Sequence, residues 1–354
     1  MSQTAVLRIL DANANRAAEG LRVVEEFVRF VLDDAHLTGI CKQLRHDLTD
    51  VVATIPLAER LRARETAADV GTEATTVAEF QRESPAAVAA ASLSRVQQSL
   101  RVLEEYAKLL DPQIAARLEP LRYRLYTLSR AIGIAAESRR ALNDLRLYVL
   151  LDGGPSPEGL EQSAASLLAA GVQAIQLRDK QRIDRELVER ARRLRRVTAE
   201  AGALLIINDR PDIAAVVHAD GVHVGQDELT VKDARAVVGP QRLIGVSTHS
   251  LDQARTAVLD GADYLGVGPT FPSGTKQFSA FTGVELLRQV AAEVSLPAFA
   301  IGGVNLANLD EVLDAGFRRA AVAGAIVKAA DPPAAAAEFR RRLDSASRPR
   351  LADA

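Results

Sequence analysis

The chain has 354 residues, 48% of them apolar and 25% charged, the composition of a soluble globular protein, and at about 150 residues per domain its length predicts two domains or one plus a substantial extension. Its 44 basic and 46 acidic residues leave a net charge of −2, a balance that argues against a nucleic-acid or membrane-surface protein. No apolar run approaches the roughly 20 residues of a membrane span, and Arg8, Asp11, Arg16 and Glu19 stand where a signal peptide needs its apolar stretch. One cysteine, Cys41, excludes an internal disulfide and fits a reducing cytoplasm. With only five histidines beside it, any metal is expected to be a hard, oxygen-bound one.

Glycine separates two grammars. Residues 1–140 hold Gly20, Gly39, Gly71 and Gly133, four of the 22, so 18 fall in the remaining 214 residues. Glycine is disfavoured inside helices and frequent at strand ends and tight loops, so the first part reads as all-helical. It also repeats. Arg16, Leu21, Arg22, Val23, Val24, Glu25, Glu26 and Phe27 recur 79 residues later as Arg95, Leu100, Arg101, Val102, Leu103, Glu104, Glu105 and Tyr106. Leu44-Arg45-His46-Asp47-Leu48 is echoed by Leu121-Arg122-Tyr123-Arg124-Leu125. Two helical hairpins packed as a pseudo-symmetric four-helix bundle are predicted, with Leu21, Val24 and Val28 on one buried stripe. A polar loop over 64–72 separates the hairpins, and Glu137-Ser138-Arg139-Arg140 marks the boundary between domains 1–140 and 141–354.

The second part alternates short β-rich runs with amphipathic helices. Strands are predicted at 147–151, 174–177, 204–207, 221–224, 243–246, 264–267, 298–301 and 320–323, with helices such as 184–201 and 251–259 between them. Eight strands alternating with helices over about 200 residues predict a parallel (β/α)8 TIM barrel, an α/β fold, following the all-α domain. Barrels of this kind keep their chemistry in the loops after the strands.

The second strand ends in Gln176-Leu177-Arg178-Asp179-Lys180, where Gln176 and Arg178 share one face and Lys180 continues it. An amide and two cations at a barrel mouth suit a multiply charged anion; surface salt bridges are the alternative. The third strand ends in Asn208-Asp209-Arg210 and the fourth in Gly225-Gln226-Asp227-Glu228, carboxylates able to share one Mg²⁺ with substrate phosphates. Helix capping is the alternative there, above all for Asp212. In Ser247-Thr248-His249-Ser250, Ser250 reads as a helix N-cap, His249 as structural and Ser247 as able to bond a phosphate oxygen. The loop Gly268-Pro269-Thr270-Phe271-Pro272-Ser273-Gly274-Thr275-Lys276 offers backbone N–H groups, hydroxyls and an ammonium without the Walker A spacing. Gly302-Gly303 and Ala323-Gly324 follow the seventh and eighth strands, where such barrels commonly bind a phosphate. Two anion sites on one rim, one suited to a Mg-bound diphosphate and one to a monophosphate, point to transfer from a diphosphate leaving group.

These motifs, together with 221–226, 261–276 and 301–304, resemble thiamine-phosphate synthase over residues 145–343. The resemblance implies joining of hydroxymethylpyrimidine diphosphate to a thiazole phosphate, carboxylated or not, with release of pyrophosphate. It also implies Mg²⁺ and a dissociative path. Carried over by position, Gln176, Arg178, Lys180, Asn208, Ser247 and Lys276 would bind the pyrimidine diphosphate, with Arg178, Lys180 and Lys276 as the catalytic cations. Asp209 would hold Mg²⁺. The family's second aspartate, two residues after Gln226, is Glu228 here, with Asp227 next door as the other candidate. Ser273, Gly274, Thr275 and Gly303 would bind the thiazole phosphate, joined by Ala323 and Gly324 where the family often has Val-Ser. A thiazole-phosphate-binding or tautomerase-like barrel is the competing reading, which the presence of Arg178, Lys180, Asp209 and Lys276 disfavours.

In the first part, Asn13-Ala14-Asn15-Arg16, Glu19-Gly20-Leu21-Arg22, the 64–72 loop and 100–106 resemble a helical domain fused to some of these synthases. That domain is associated with phosphorylating hydroxymethylpyrimidine phosphate, so ATP is an implied ligand. No P-loop or protein-kinase signature is present. Arg22, Arg64 and Arg101 are candidates for phosphates, and Glu25, Asp69 or Glu104 for Mg²⁺. The alternatives are ion pairs on a solvated helix face and a non-catalytic dimerisation module.

Overall fold

The computed structural model describes residues 3–66, 81–272 and 281–347. The chain divides into two compact units after Ala136. In the first, α1 (Gln3–Phe27) runs into a π-helical turn over Val28–Leu32, which ends on Asp33 in the left-handed conformation at φ 54°. Asp34 then starts α2 (Ala35–Val52) by accepting from the Leu37 N–H at 2.7 Å, satisfying one of the donors a helix start leaves free. A short α3 (Leu57–Ala63) follows. The second hairpin is α4 (Pro85–Ala107), capped by Ser84 with Pro85 in its first turn, and α5 (Pro112–Ala141).

The predicted stripe of Leu21, Val24 and Val28 is fully buried. The two repeat-related helices α1 and α4 lie against each other, and Gly20 packs directly on Val96 of α4. A Cβ there would stand 2.6 Å from Val96 Cγ2, so only glycine fits without displacing a core side chain.

In the second unit eight parallel strands close into a barrel in chain order: β1 (Leu147–Leu151), β2 (Ala174–Leu177), β3 (Leu204–Asn208), β4 (Gly221–Val224), β5 (Leu243–Thr248), β6 (Tyr264–Val267), β7 (Ala298–Ile301) and β8 (Ala320–Val322). Closure comes from β1 pairing β8 with Leu147 opposite Ala320. The helices between strands are α6 (Pro157–Ala169), α7 (Asp184–Glu200), α8 (Pro211–Val216), α9 (Val231–Val238), α10 (Leu251–Asp260), α11 (Gly283–Glu293), α12 (Leu309–Asp314) and α13 (Gly324–Val327), with α14 (Pro332–Ser347) last. Leu142, Leu145, Tyr148, Ala174, Ile206, Tyr264, Phe299 and Ala321 pack as one buried cluster. The rings of Tyr148, Tyr264 and Phe299 meet edge to face in it, with centroids 5.5–6.1 Å apart.

Three strand ends differ from the sequence reading, and each difference moves a site residue. β3 extends to Asn208, which is in register with His223, and β5 extends to Thr248, in register with Val267. Asn208 and Ser247 are therefore held by ladder hydrogen bonds rather than standing in loops. β8 stops at Val322, and Ala323 becomes the residue that enters α13. Among the described residues no helix is long and apolar enough to cross a membrane.

Candidate active site at the barrel mouth

At the mouth, Lys180 follows β2 and reaches across to the ends of β3 and β4. Its Nζ lies 2.8 Å from Asp209 Oδ2 and 3.6 Å from Glu228 Oε1, so an ammonium sits between two carboxylates. The hydrogen bond it donates to Asp209 holds the Lys180 ammonium above its ordinary range. Asp209 adopts φ 59°, a left-handed conformation that costs most side chains about 1–2 kcal/mol and that Asp tolerates better than most. Its N–H donates to the His223 carbonyl at 2.8 Å, which fixes that turn. Glu228 folds back over Gly225, where a Cβ would overlap its carboxylate.

This donor set fits a divalent hard cation. Mg²⁺ takes one or two carboxylates and completes its octahedron with water and substrate phosphate, so a pair of carboxylates suffices. Among the described residues no group of three or more His, Cys, Asp or Glu forms a closed metal cage.

Gln176 and Ser247 sit lower, inside the barrel. Gln176, 2% exposed, donates from Nε2 to the Tyr148 hydroxyl at 2.6 Å. The Tyr148 and Tyr264 hydroxyls are 3.1 Å apart, Tyr264 is 3.3 Å from His223 Nδ1, and His223 Nε2 is 2.9 Å from Ser247 Oγ. Burial pushes the His223 imidazole down to about 4, against the opposing pull of the Asp209 charge, so the ring is neutral near pH 7. Gln226 donates to the Ser247 carbonyl at 2.6 Å. Arg178 is half-buried just beyond β2, its N–H held by the Leu151 carbonyl at 2.8 Å.

The sequence reading passed over Tyr148, His223 and Tyr264. Their signal was present: each is a polar residue on the inward face of a strand that is otherwise apolar or glycine. It also missed Asp179 as the organiser of the neighbouring loops. That carboxylate accepts from the N–H groups of Gly153 at 3.1 Å and Gln181 at 3.0 Å, and pairs with Arg182 at 2.8 Å. These donors hold it below the usual carboxylate range against the effect of burial.

On the other side of the rim, the loop after β6 is zipped to the loop after β7. The Thr270 and Phe271 N–H groups donate to the Ile301 and Gly302 carbonyls at 2.9 Å. Gly303 at φ 70° lies under that loop, and a Cβ would stand 2.5 Å from the Phe271 oxygen. Ala323 and Gly324 form the β8–α13 junction. Ser273, Gly274, Thr275 and Lys276 lie outside the described residues, as does Asp69. Ser250 caps α10 by accepting from the Gln253 N–H at 3.2 Å, and Asp212 lies in the first turn of α8, where its carboxylate pairs with Arg210 at 2.7 Å and accepts from the Ile213 N–H, the N-cap position itself being Arg210.

In the first unit the repeat builds the same triad twice. Glu25 is bound by Arg22 at 3.1 Å and Arg45 at 3.2 Å, and Glu104 by Arg101 at 3.2 Å and Arg122 at 2.6 Å. Both carboxylates are buried, so the Arg45 and Arg122 contacts are interior clasps joining α1 to α2 and α4 to α5. Arg22 and Arg101 are exposed and also pair with Glu26 and Glu105 four residues on, so the expected ion pairs on a solvated helix face are present as well. Each buried carboxylate is occupied by two guanidinium groups, which leaves Glu25 and Glu104 poorly suited to Mg²⁺. Arg64 instead pairs with buried Asp11 at 2.7 Å, alongside Arg60 at 3.4 Å.

Residues 147–326 match the family model described as thiamine monophosphate synthase, and residues 8–131 match the ThiD2 family. The chain is 47% identical over 331 residues to a thiamine-phosphate synthase of Rhodopirellula baltica, covering 91% of this chain and 88% of that protein. The chain belongs to the thiamine-phosphate synthase family. A synthase from Gloeobacter violaceus is 45% identical over 346 residues, covering 97% of this chain and 98% of its own length. A thiamine phosphate pyrophosphorylase structure from Pyrococcus furiosus covers 59% of this chain and all of its own at 36% identity and a TM-score of 0.53. Membership in the thiamine-phosphate synthase family makes this chain a transferase of thiamine biosynthesis with a ThiD2-type helical part.

Proposed function

We propose that the barrel joins hydroxymethylpyrimidine diphosphate to a thiazole phosphate and releases pyrophosphate, with Mg²⁺ held by Asp209 and Glu228. The observation that carries this is the Lys180 ammonium seated between those two carboxylates at the mouth of the barrel. Glu228 is preferred to Asp227 as the second ligand because it alone of the two meets Lys180. When bound, Mg²⁺ neutralises charge on the diphosphate oxygens. Lys180, Arg178 and Lys276 bind those oxygens and stabilise the pyrophosphate as it leaves, an electrostatic role that needs no proton shuttle. Gln176, Asn208 and Ser247 orient the pyrimidine. Ser273, Gly274, Thr275, Gly303, Ala323 and Gly324 hold the thiazole phosphate through hydroxyls and backbone N–H groups, so that the thiazole nitrogen faces the carbon that the diphosphate leaves.

We propose also that the chain works as two functional parts, 1–140 and 141–354, the first phosphorylating hydroxymethylpyrimidine phosphate with ATP. The match to the ThiD2 family and the Asp11–Arg60–Arg64 cluster at the entry to the 64–72 loop support this over a purely structural module. The test is the purified full chain with Mg²⁺. Given hydroxymethylpyrimidine diphosphate and thiazole phosphate it is expected to form thiamine phosphate and pyrophosphate in equal amounts, and to stop when EDTA is added. No product from a folded chain refutes the barrel assignment. Replacing the diphosphate by the monophosphate plus ATP tests the helical part separately, and failure there alone refutes only its kinase role.

A further inference from the structure

Below the mouth, Gln176 on β2 and Ser247 on β5, which orient the pyrimidine, are joined through three polar side chains that the proposed reaction does not use directly. The chain runs from Gln176 through Tyr148 on β1 and Tyr264 on β6 to His223 on β4 and Ser247, with each step between 2.6 and 3.3 Å. Tyr148, Tyr264 and His223 are all at most 5% exposed. Phenylalanine would fill the tyrosine positions without demanding partners, so a complete polar chain in this place is a costly choice for packing alone.

The fold also clears space for it. A Cβ at Gly245 would overlap the Tyr264 ring and stand 2.5 Å from His223 Nδ1, and one at Gly266 would stand 3.1 Å from His223 Cε1. Two strand positions are thus emptied to seat these two rings.

The hydrogen bonds of such a chain must all run one way. Gln176 Nε2 can only donate, so Tyr148 accepts from it and turns its own O–H toward Tyr264. Tyr264 then donates to His223 Nδ1. A neutral imidazole that accepts at Nδ1 carries its proton at Nε2 and donates it to Ser247 Oγ. With that lone pair used, the Ser247 O–H is left to point at a ligand.

We infer that Tyr148, Tyr264 and His223 are positioning residues whose one-way hydrogen-bond chain sets Ser247 as a donor and the Gln176 carbonyl as an acceptor, matching a heteroaromatic ring nitrogen beside an N–H group. The inference rests on the proposed pyrimidine substrate and assigns the polarity with which that ring is read. Without Tyr264 the imidazole is free to take the other tautomer, and Ser247 would then donate inward and present lone pairs to the ring.

The test uses the full chain labelled with 15N-histidine, which carries five histidines, with the His223 signals identified by their loss in His223→Gln. The ring of His223 is expected to be protonated at Nε2 and bare at Nδ1, and Tyr264→Phe is expected to shift it toward the Nδ1-protonated form. Tyr264→Phe should raise KM for hydroxymethylpyrimidine diphosphate by about ten-fold, the value of one oriented hydrogen bond, and leave KM for the thiazole phosphate unchanged. Ser247→Ala combined with Tyr264→Phe should be no worse than Ser247→Ala alone, because both act through one contact. An Nδ1-protonated His223 in the unaltered chain, or additive effects in the double variant, would overturn the relay. Failure of the unaltered chain to make thiamine phosphate would overturn the substrate reading instead, while the tautomer measurement would still decide the direction of the chain.

Discussion

Replacing Lys180 by alanine is expected to tighten binding of free Mg²⁺ while slowing turnover. The ammonium occupies the place between Asp209 and Glu228 that a divalent ion would take, at 2.8 and 3.6 Å from their oxygens. A cation entering without substrate must displace it. The Lys180 side chain is 53% exposed, so each pair is worth only the 0.2–1 kcal/mol typical of solvated ion pairs, and the two together about 1 kcal/mol. Removing the competitor should therefore improve Mg²⁺ affinity about two- to five-fold, measured by calorimetric titration in the absence of substrates. Arg178→Ala removes the same charge from a side chain that makes no ion pair to either carboxylate, and should improve affinity less. With substrates present, Lys180→Ala should lose about 100-fold in kcat/KM, since a cation on a departing diphosphate contributes most as the bond breaks. Unchanged or weaker Mg²⁺ binding in Lys180→Ala, or equal gains in both variants, would refute the competition.

Asp209→Asn and Asp209→Ala should both cripple turnover, but alanine should cost about 1 kcal/mol more stability because φ 59° suits Asn far better than a residue with no local hydrogen bond, as chemical denaturation would measure. Glu104→Ala should destabilise the helical unit by about 3–5 kcal/mol, since it strands an Arg122 side chain only 9% exposed, whereas Glu25→Ala should cost less because Arg45 is 26% exposed and can rehydrate. The rate at which Cys41 becomes reactive to a thiol reagent, the sole cysteine being fully buried in α2, would report both. Burial pushes the Cys41 thiol from 9.0 up to about 12, so above pH 9 the unfolded chain loses a proton that the folded chain keeps. Stability relative to Cys41→Ala should then be fully present below pH 9 and fall by about 1.4 kcal/mol per pH unit up to pH 12; a flat difference would show that the thiol is not shielded.

Much of the architecture was legible because two periodicities carried it. Strand and helix boundaries in the barrel came out within two residues, since short β-rich runs bounded by glycine and polar residues leave few alternatives. The mouth was partly legible for the same reason: Lys180, Asp209 and Glu228 follow strand ends, and topology brings strand ends together. What the sequence hid was what lies across the barrel. Nothing local says that His223 meets Ser247 across the β4–β5 pair, or that Tyr148 meets Tyr264 from strands 116 residues apart. In the helical unit the repeat was plain. Burial was not, because whether Glu25 faces water or an arginine depends on where α2 packs, and a pattern of i,i+3 and i,i+4 charges is the same in both cases.

The two halves of this chain also differ in when their contacts become available. Glu25 finds Arg45 20 residues away and Glu104 finds Arg122 18 residues away, so each clasp closes a short loop. The barrel has no such shortcut: its final seam, Leu147 against Ala320, joins the first strand to the last. During synthesis the helical unit is therefore expected to be folded and protease-resistant before the barrel has its last strand, leaving β1 with an unpaired edge until the ribosome has delivered β8.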